Sequence, residues 1–200
     1  MKNRVGKIGS VVTVLSVAAF ALCMLIPFDF GSYFASMFIA LGYVMMVAAF
    51  DLECREDRKI AGKLASLFAG VYLTMILLVY FTQCTTVANE KLNDTAMRIL
   101  DYRYMGLLFN LDLLGYGIMA LSTFFIGLTI EGDSRQDKVL KMLLQVHGVF
   151  FTGCFILPMA GIFVNPDGTA SVGSIAALEC WCLYFLPIGI LSFLHFKQNK

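Results

Sequence analysis

The chain has 200 residues, of which 59% are hydrophobic and only 14% charged, with a mean hydropathy of +0.79. Soluble domains carry nearer a quarter charged residues, so the composition excludes an ordinary water-soluble domain and points to the membrane. A formal net charge of +1 excludes any general attraction for nucleic acid.

At about 20 residues per spanning helix, the length holds roughly six spans with short loops, all in one transmembrane domain. Lys2, Arg4 and Lys7 precede an apolar run from Ile8 to Pro27. Basic residues before an apolar run also open signal peptides. Here the run continues past any convenient cleavage point, and Leu22 before Cys23 makes a poor lipobox, so an uncleaved first span over 8–27 is expected. Span two follows at 32–50. A loop with charges of both signs, 51–63, leads to span three at 64–84.

Residues 85–103 are polar, yet Leu92, Ala96, Ile99 and Leu100 recur at helical spacing. This pattern predicts an amphipathic helix on the outer interface, capped by Asn93 or Asp94. Span four is expected at 104–130 and a short charged loop at 131–138. Span five, 139–164, contains Pro158. Asn165-Pro166-Asp167-Gly168 reads as a turn, and span six, 172–196, contains Pro187. An interior proline frees the carbonyl four residues earlier, so kinks are expected at both.

Charge placement orients the set. With six spans, 12 of the 15 Lys and Arg residues fall on the side of the N-terminus, and only Lys91, Arg98 and Arg103 fall opposite. The positive-inside rule then predicts a multi-pass protein of the cell membrane with both termini cytoplasmic. A faint echo relates Ala40–Met46 in span two to Leu113–Met119 in span four. The six cysteines contain no CxxC pair. Cys180 and Cys182 point about 200° apart on a helix, so small buried hydrophobes are expected; a disulfide at Cys84 remains the alternative.

Of the 14 acidic residues, only Asp112 and Glu179 lie well inside spans. An ionised carboxylate there costs about 2.5–3.5 kcal/mol on insertion scales, so it should face the bundle interior, pair, or be protonated. Both sit roughly 10 Å below the outer boundary at the helical rise, which suggests a shared pocket. Asp112 and Tyr116 share a helix face, with Gly115 between them permitting close helix approach. Tyr80 and Gln83 lie at the same outer level of span three, and Arg98 or Arg103 can reach down to neutralise the acids. The expected ligand-binding set is Asp112, Glu179, Tyr116, Gln83, Tyr80 and Arg103, around a polar cavity open to the outside. The competing reading has the acids only holding helices in register.

His147, in span five, is expected to be a satisfied polar histidine, and His195 to lie at the inner interface. Gln145, Gly148 and Thr152 form a stripe typical of helix contact. Nucleotide, metalloprotease and serine-hydrolase motifs do not occur, nor does a mid-span lysine or an arginine ladder. No cofactor and no metal is expected.

Tyr80–Thr86 (YFTQCTT) and Phe109–Thr123 (FNLDLLGYGIMALST) resemble segments of small, uncharacterised six-helix membrane proteins of bacteria. The similarity runs from span three into span five. It implies an all-α bundle and no known activity. The functional expectation is an integral membrane protein that binds or transports a small solute, ion or lipid headgroup. The alternatives are a non-catalytic scaffold and, last, an intramembrane enzyme using Asp112 and Glu179. The expected partners are the bilayer and such a ligand; self-association stays open.

Overall fold

A computed structural model describes residues 1–132, 134–162 and 172–198. Its helices are α1 (Lys2–Leu25), α2 (Asp29–Glu53), α3 (Lys59–Thr82), α4 (Asp94–Leu100), α5 (Leu107–Thr129), α6 (Arg135–His147), α7 (Phe150–Met159) and α8 (Val172–Gln198). No strand occurs among the described residues. With α6 and α7 taken together, six helices there are long and apolar enough to cross a membrane. The fold is the expected all-α polytopic bundle, with α4 set between the third and fourth spans. The expected turn at Asn165–Gly168 lies outside the described residues.

The spans form a ring. Each packs on its neighbours in sequence, and α8 returns to close on α1. Leu15, Leu22, Leu67 and Leu183 are exposed on the outside of this ring. Apolar residues are stable there only if hydrocarbon surrounds the bundle, where helices also satisfy their own backbone groups. Glycine sets the tightest seam: a Cβ on Gly42 would sit 2.7 Å from Thr13 Oγ1 and 2.9 Å from the Gly9 carbonyl oxygen. No side chain fits between α1 and α2 there, so the two backbones meet directly.

Five aromatic side chains close a ring at the centre. Tyr43 contacts Tyr72 at 5.6 Å between centroids, Tyr72 contacts Tyr116 at 5.6 Å, and Tyr116 contacts Trp181 at 5.1 Å. Trp181 stacks on Phe185 at 4.9 Å, and Phe185 returns to Tyr43 at 6.2 Å. Edge-to-face and offset contacts of this kind add to apolar burial. The echoed segments of spans two and four both place their tyrosine, Tyr43 and Tyr116, against Tyr72.

In the fifth span α6 gives way to α7 across a short turn at Gly148–Val149 that keeps right-handed helical φ and ψ. Pro158 stands one residue from the end of α7, and α8 continues as one helix through Pro187. Gly148 lies against Phe124, where a Cβ would meet the Phe124 Cβ at 2.8 Å. The outer helix is shorter than expected: α4 covers only Asp94–Leu100, and Gln83–Val87 prolongs α3 as a π-helical turn. Asn93 is the cap, accepting from the Ala96 amide at 2.9 Å. Cys182 is buried and Cys180 exposed, the divergence their spacing predicts, and Cys84 is a free thiol.

Candidate functional site

A cavity of about 240 Å³ opens among α5, α7 and α8 at the end of the bundle that carries the segment joining α4 to α5. Asp112 and Tyr116 line it from α5, Phe150 and Cys154 from α7, Trp181 from α8, and Tyr102 from the segment after α4. α6 packs on both α5 and α8, whereas α7 follows α5.

Asp112 is 1% exposed. Its Oδ2 accepts a hydrogen bond from the Tyr102 hydroxyl at 3.1 Å. Its Oδ1 is buried with no hydrogen bond inside 3.5 Å, and so is the Tyr116 hydroxyl one turn along the same helix. The Tyr80 hydroxyl neighbours Asp112, and the Tyr72 hydroxyl neighbours Tyr116. Buried polar atoms are nearly always closely bonded, so this wall can still take a polar group of a guest. Burial, then the nearby Asp112 charge, push the Tyr102 phenol well above its usual value. Tyr102 therefore stays a donor throughout the physiological range.

The expected residues divide. Asp112 and Tyr116 come together on the cavity wall. Tyr80 is buried behind them, 5.9 Å from the Tyr102 ring and 5.6 Å from Tyr33. Gln83 is buried too, but its amide is spent on backbone: Nε2 donates to the Leu100 carbonyl at 2.7 Å, and Oε1 accepts from the Tyr102 amide at 3.0 Å. Gln83 thus fastens the outer segment and positions Tyr102. Gln83 also opens the π turn.

Two expectations are corrected. Arg103 does not reach Asp112; its guanidinium grips Asp101, with Nη2 at 2.8 Å and Nε at 3.1 Å from both carboxylate oxygens. A carboxylate two residues away is simply nearer than one inside the bundle. Glu179 does not line the cavity. Ala177, Leu178 and Trp181 hold the face of α8 that does, and at 100° per residue Glu179 points about 200° from Trp181. The rotation of α8 about its axis therefore keeps the two acids from sharing this pocket. With Glu179 turned away, the structure does not assemble an acid–base pair at Asp112. The cavity is also more apolar than expected, because Gln83 and Arg103 are engaged elsewhere.

Below the cavity His147 is fully satisfied, as expected. The Trp181 indole donates to His147 Nε2 at 2.9 Å, and an indole can only donate. Nε2 therefore carries no proton, and Nδ1–H donates to Thr123 Oγ1 at 2.8 Å. Thr123 passes its own proton to the Ala120 carbonyl at 2.8 Å. This neutral relay joins α5, α6 and α8 and fixes Trp181 on the cavity wall. His195, near the C-terminal end of α8, is buried within the bundle. Its Nδ1 lies 2.6 Å from Asp137 Oδ1 and its Nε2 lies 3.0 Å from Glu53 Oε2.

These features define the class: a helical polytopic bundle with an aromatic-walled cavity around one buried carboxyl group. No family model matches the chain, and no curated protein or solved structure matches it either.

Proposed function

We propose that this chain is a cell-membrane protein, with both termini cytoplasmic, that binds a small amphiphilic solute in its outward-facing cavity as a receptor or carrier. The observation that carries the reading is Asp112 Oδ1, buried without a close hydrogen bond on the wall of a cavity lined by rings. A carboxylate among Tyr102, Tyr116, Trp181, Phe109 and Phe150 suits an organic cation. The acid supplies the counter-charge, and the ring faces add cation–π attraction worth about 0.5–2 kcal/mol each. An anion would meet only the carboxylate and the quadrupoles of the rings.

Trp181 is the single tryptophan, so its fluorescence reports occupancy directly. Benzyltrimethylammonium should change that emission saturably, and neopentylbenzene, its uncharged isostere, should bind at least about tenfold more weakly. Asp112→Asn should abolish the difference between the two. Equal binding of both probes by the native chain defeats the reading.

A second reading has its own observation. The Asp112 Oδ2 bond to Tyr102 fastens the outer segment to the bundle, as a purely structural acid would. If Asp112→Asn loses stability and no probe binds the native chain, this scaffold reading stands instead.

A further inference from the structure

At the opposite end of the bundle a second cavity, about 500 Å³, lies between the loop joining α2 to α3 and the start of α6. Four cations line it, Arg55, Arg58, Lys138 and Lys141, against two carboxylates, Glu131 and Asp137. Both carboxylates are already committed. Glu131 takes Arg58 Nη2 at 2.9 Å and Arg55 Nη1 at 3.1 Å. Asp137 takes His195 at 2.6 Å and the Ser134 hydroxyl at 2.7 Å. Arg55 also pairs with Asp57 at 3.2 Å. The guanidinium groups are therefore partnered, whereas the Lys138 and Lys141 ammonium groups, three residues apart on one face of α6, have no ion-pair partner among the described residues.

The cavity lies at the ends of the apolar helices, next to the loop that joins α2 to α3. Val139 and Met142, beside the two lysines on α6, are exposed apolar residues, so the first turns of this helix meet hydrocarbon on one side and the cationic cavity on another. We propose that this cavity binds a phosphate ester, with Lys138 and Lys141 as its principal cations and Arg55 and Arg58 as the preset wall. A phosphodiester or monoester oxygen accepts from ammonium and guanidinium groups alike. The group can come from an anionic phospholipid of the adjoining leaflet or from a soluble phosphate compound. The site stands apart from the Asp112 cavity and does not depend on it.

The experiment uses the full chain in nanodiscs of phosphatidylcholine, with or without phosphatidylglycerol, and in phosphatidylcholine nanodiscs given glycerol phosphate. Bound lipid or phosphate is read by native mass spectrometry and by the shift in unfolding midpoint. The native chain should retain a phosphate-bearing ligand from one of the two sources; whichever arm responds names the source. Lys138→Gln/Lys141→Gln should weaken that retention about tenfold or more, whereas Arg4→Gln/Lys197→Gln, equal in charge removed from the same end, should change it by about twofold at most. Lys138→Gln alone, with an intermediate loss, serves if the double variant does not fold. No retention from either source, or equal losses in the two double variants, overturns the proposal.

Discussion

The Tyr102 hydroxyl donates to Asp112 Oδ2 across 3.1 Å, and this bond joins the outer segment to the fourth span. Gln83 holds the same segment from α3, through the Leu100 carbonyl and the Tyr102 amide. Tyr102, which lines the cavity among α5, α7 and α8, is therefore tied to α5 through its hydroxyl and to α3 through its amide.

Removing that hydroxyl should be costly and local. Tyr102→Phe removes the one close hydrogen bond to the buried Asp112 carboxyl and leaves only the Tyr80 hydroxyl as a neighbour. The expected loss is about 1–3 kcal/mol, read as a lower unfolding midpoint in detergent, with faster hydrogen exchange confined to residues 94–106. Because the folded Tyr102 pKa is raised above its unfolded value, its contribution is complete below about pH 10 and is lost as pH rises towards the folded value. The native and Tyr102→Phe chains should then converge in stability only in strong alkali. A constant gap through that range contradicts the assignment.

Gln83→Ala tests the other tie. It deletes two hydrogen bonds to backbone, one of them accepted from the Tyr102 amide. A loss of about 1–3 kcal/mol is expected, most of it from the unsatisfied backbone groups. Gln83→Glu should recover only the bond from the Tyr102 amide, because a carboxylate cannot donate to Leu100. If Gln83→Ala and Gln83→Glu are equally mild, the segment is held by packing instead.

The division between what the sequence told and what it did not follows from these contacts. Span number, the amphipathic character before span four, the shared face of Asp112 and Tyr116, and the satisfied state of His147 all rest on composition and helical spacing. The orientation of Glu179 did not, because α8 is apolar on every side and its sequence gives little sign of which face turns inward. Gln83 looked like a cavity residue because its partners are backbone atoms 17 and 19 positions away, which no side-chain pattern announces. Tyr102 and Trp181 were passed over. The signal for Trp181 was present in its being the single tryptophan, on a span, near the level of Asp112.

The α1–α2 seam gives a packing test with a built-in control. Gly42→Val places side-chain atoms where Thr13 and the Gly9 carbonyl already stand. Overpacking at a fixed backbone contact costs about 1–3 kcal/mol, and here both neighbours are backbone or held by it. Gly70 on α3 has nothing within 4 Å of its would-be Cβ, so Gly70→Ala should be neutral or gain about 0.5 kcal/mol through lower chain entropy. Equal tolerance of both substitutions would mean that α1 packs elsewhere.

The His147 relay predicts an asymmetry between its two ends. Thr123→Ala removes the acceptor for Nδ1–H but leaves the Trp181 bond, whereas His147→Phe strands the Trp181 indole N–H in the interior. An orphaned buried donor costs about 1–3 kcal/mol. His147→Phe also keeps the aromatic contacts with Phe150 and Tyr184, now at 5.1 Å and 5.9 Å, so apolar burial is largely preserved and the loss reports the hydrogen bond. Trp181 is the reporter: losing a bonded acceptor shifts its emission to the blue. His147→Phe should therefore lower stability and shift the emission, and Thr123→Ala should lower stability with little shift. Because Trp181 lines the outer cavity, His147→Phe should also weaken benzyltrimethylammonium binding without touching the ligand itself. An unmoved emission in His147→Phe would show that the indole N–H does not rest on Nε2, and the neutral tautomer assigned to His147 would fall with it.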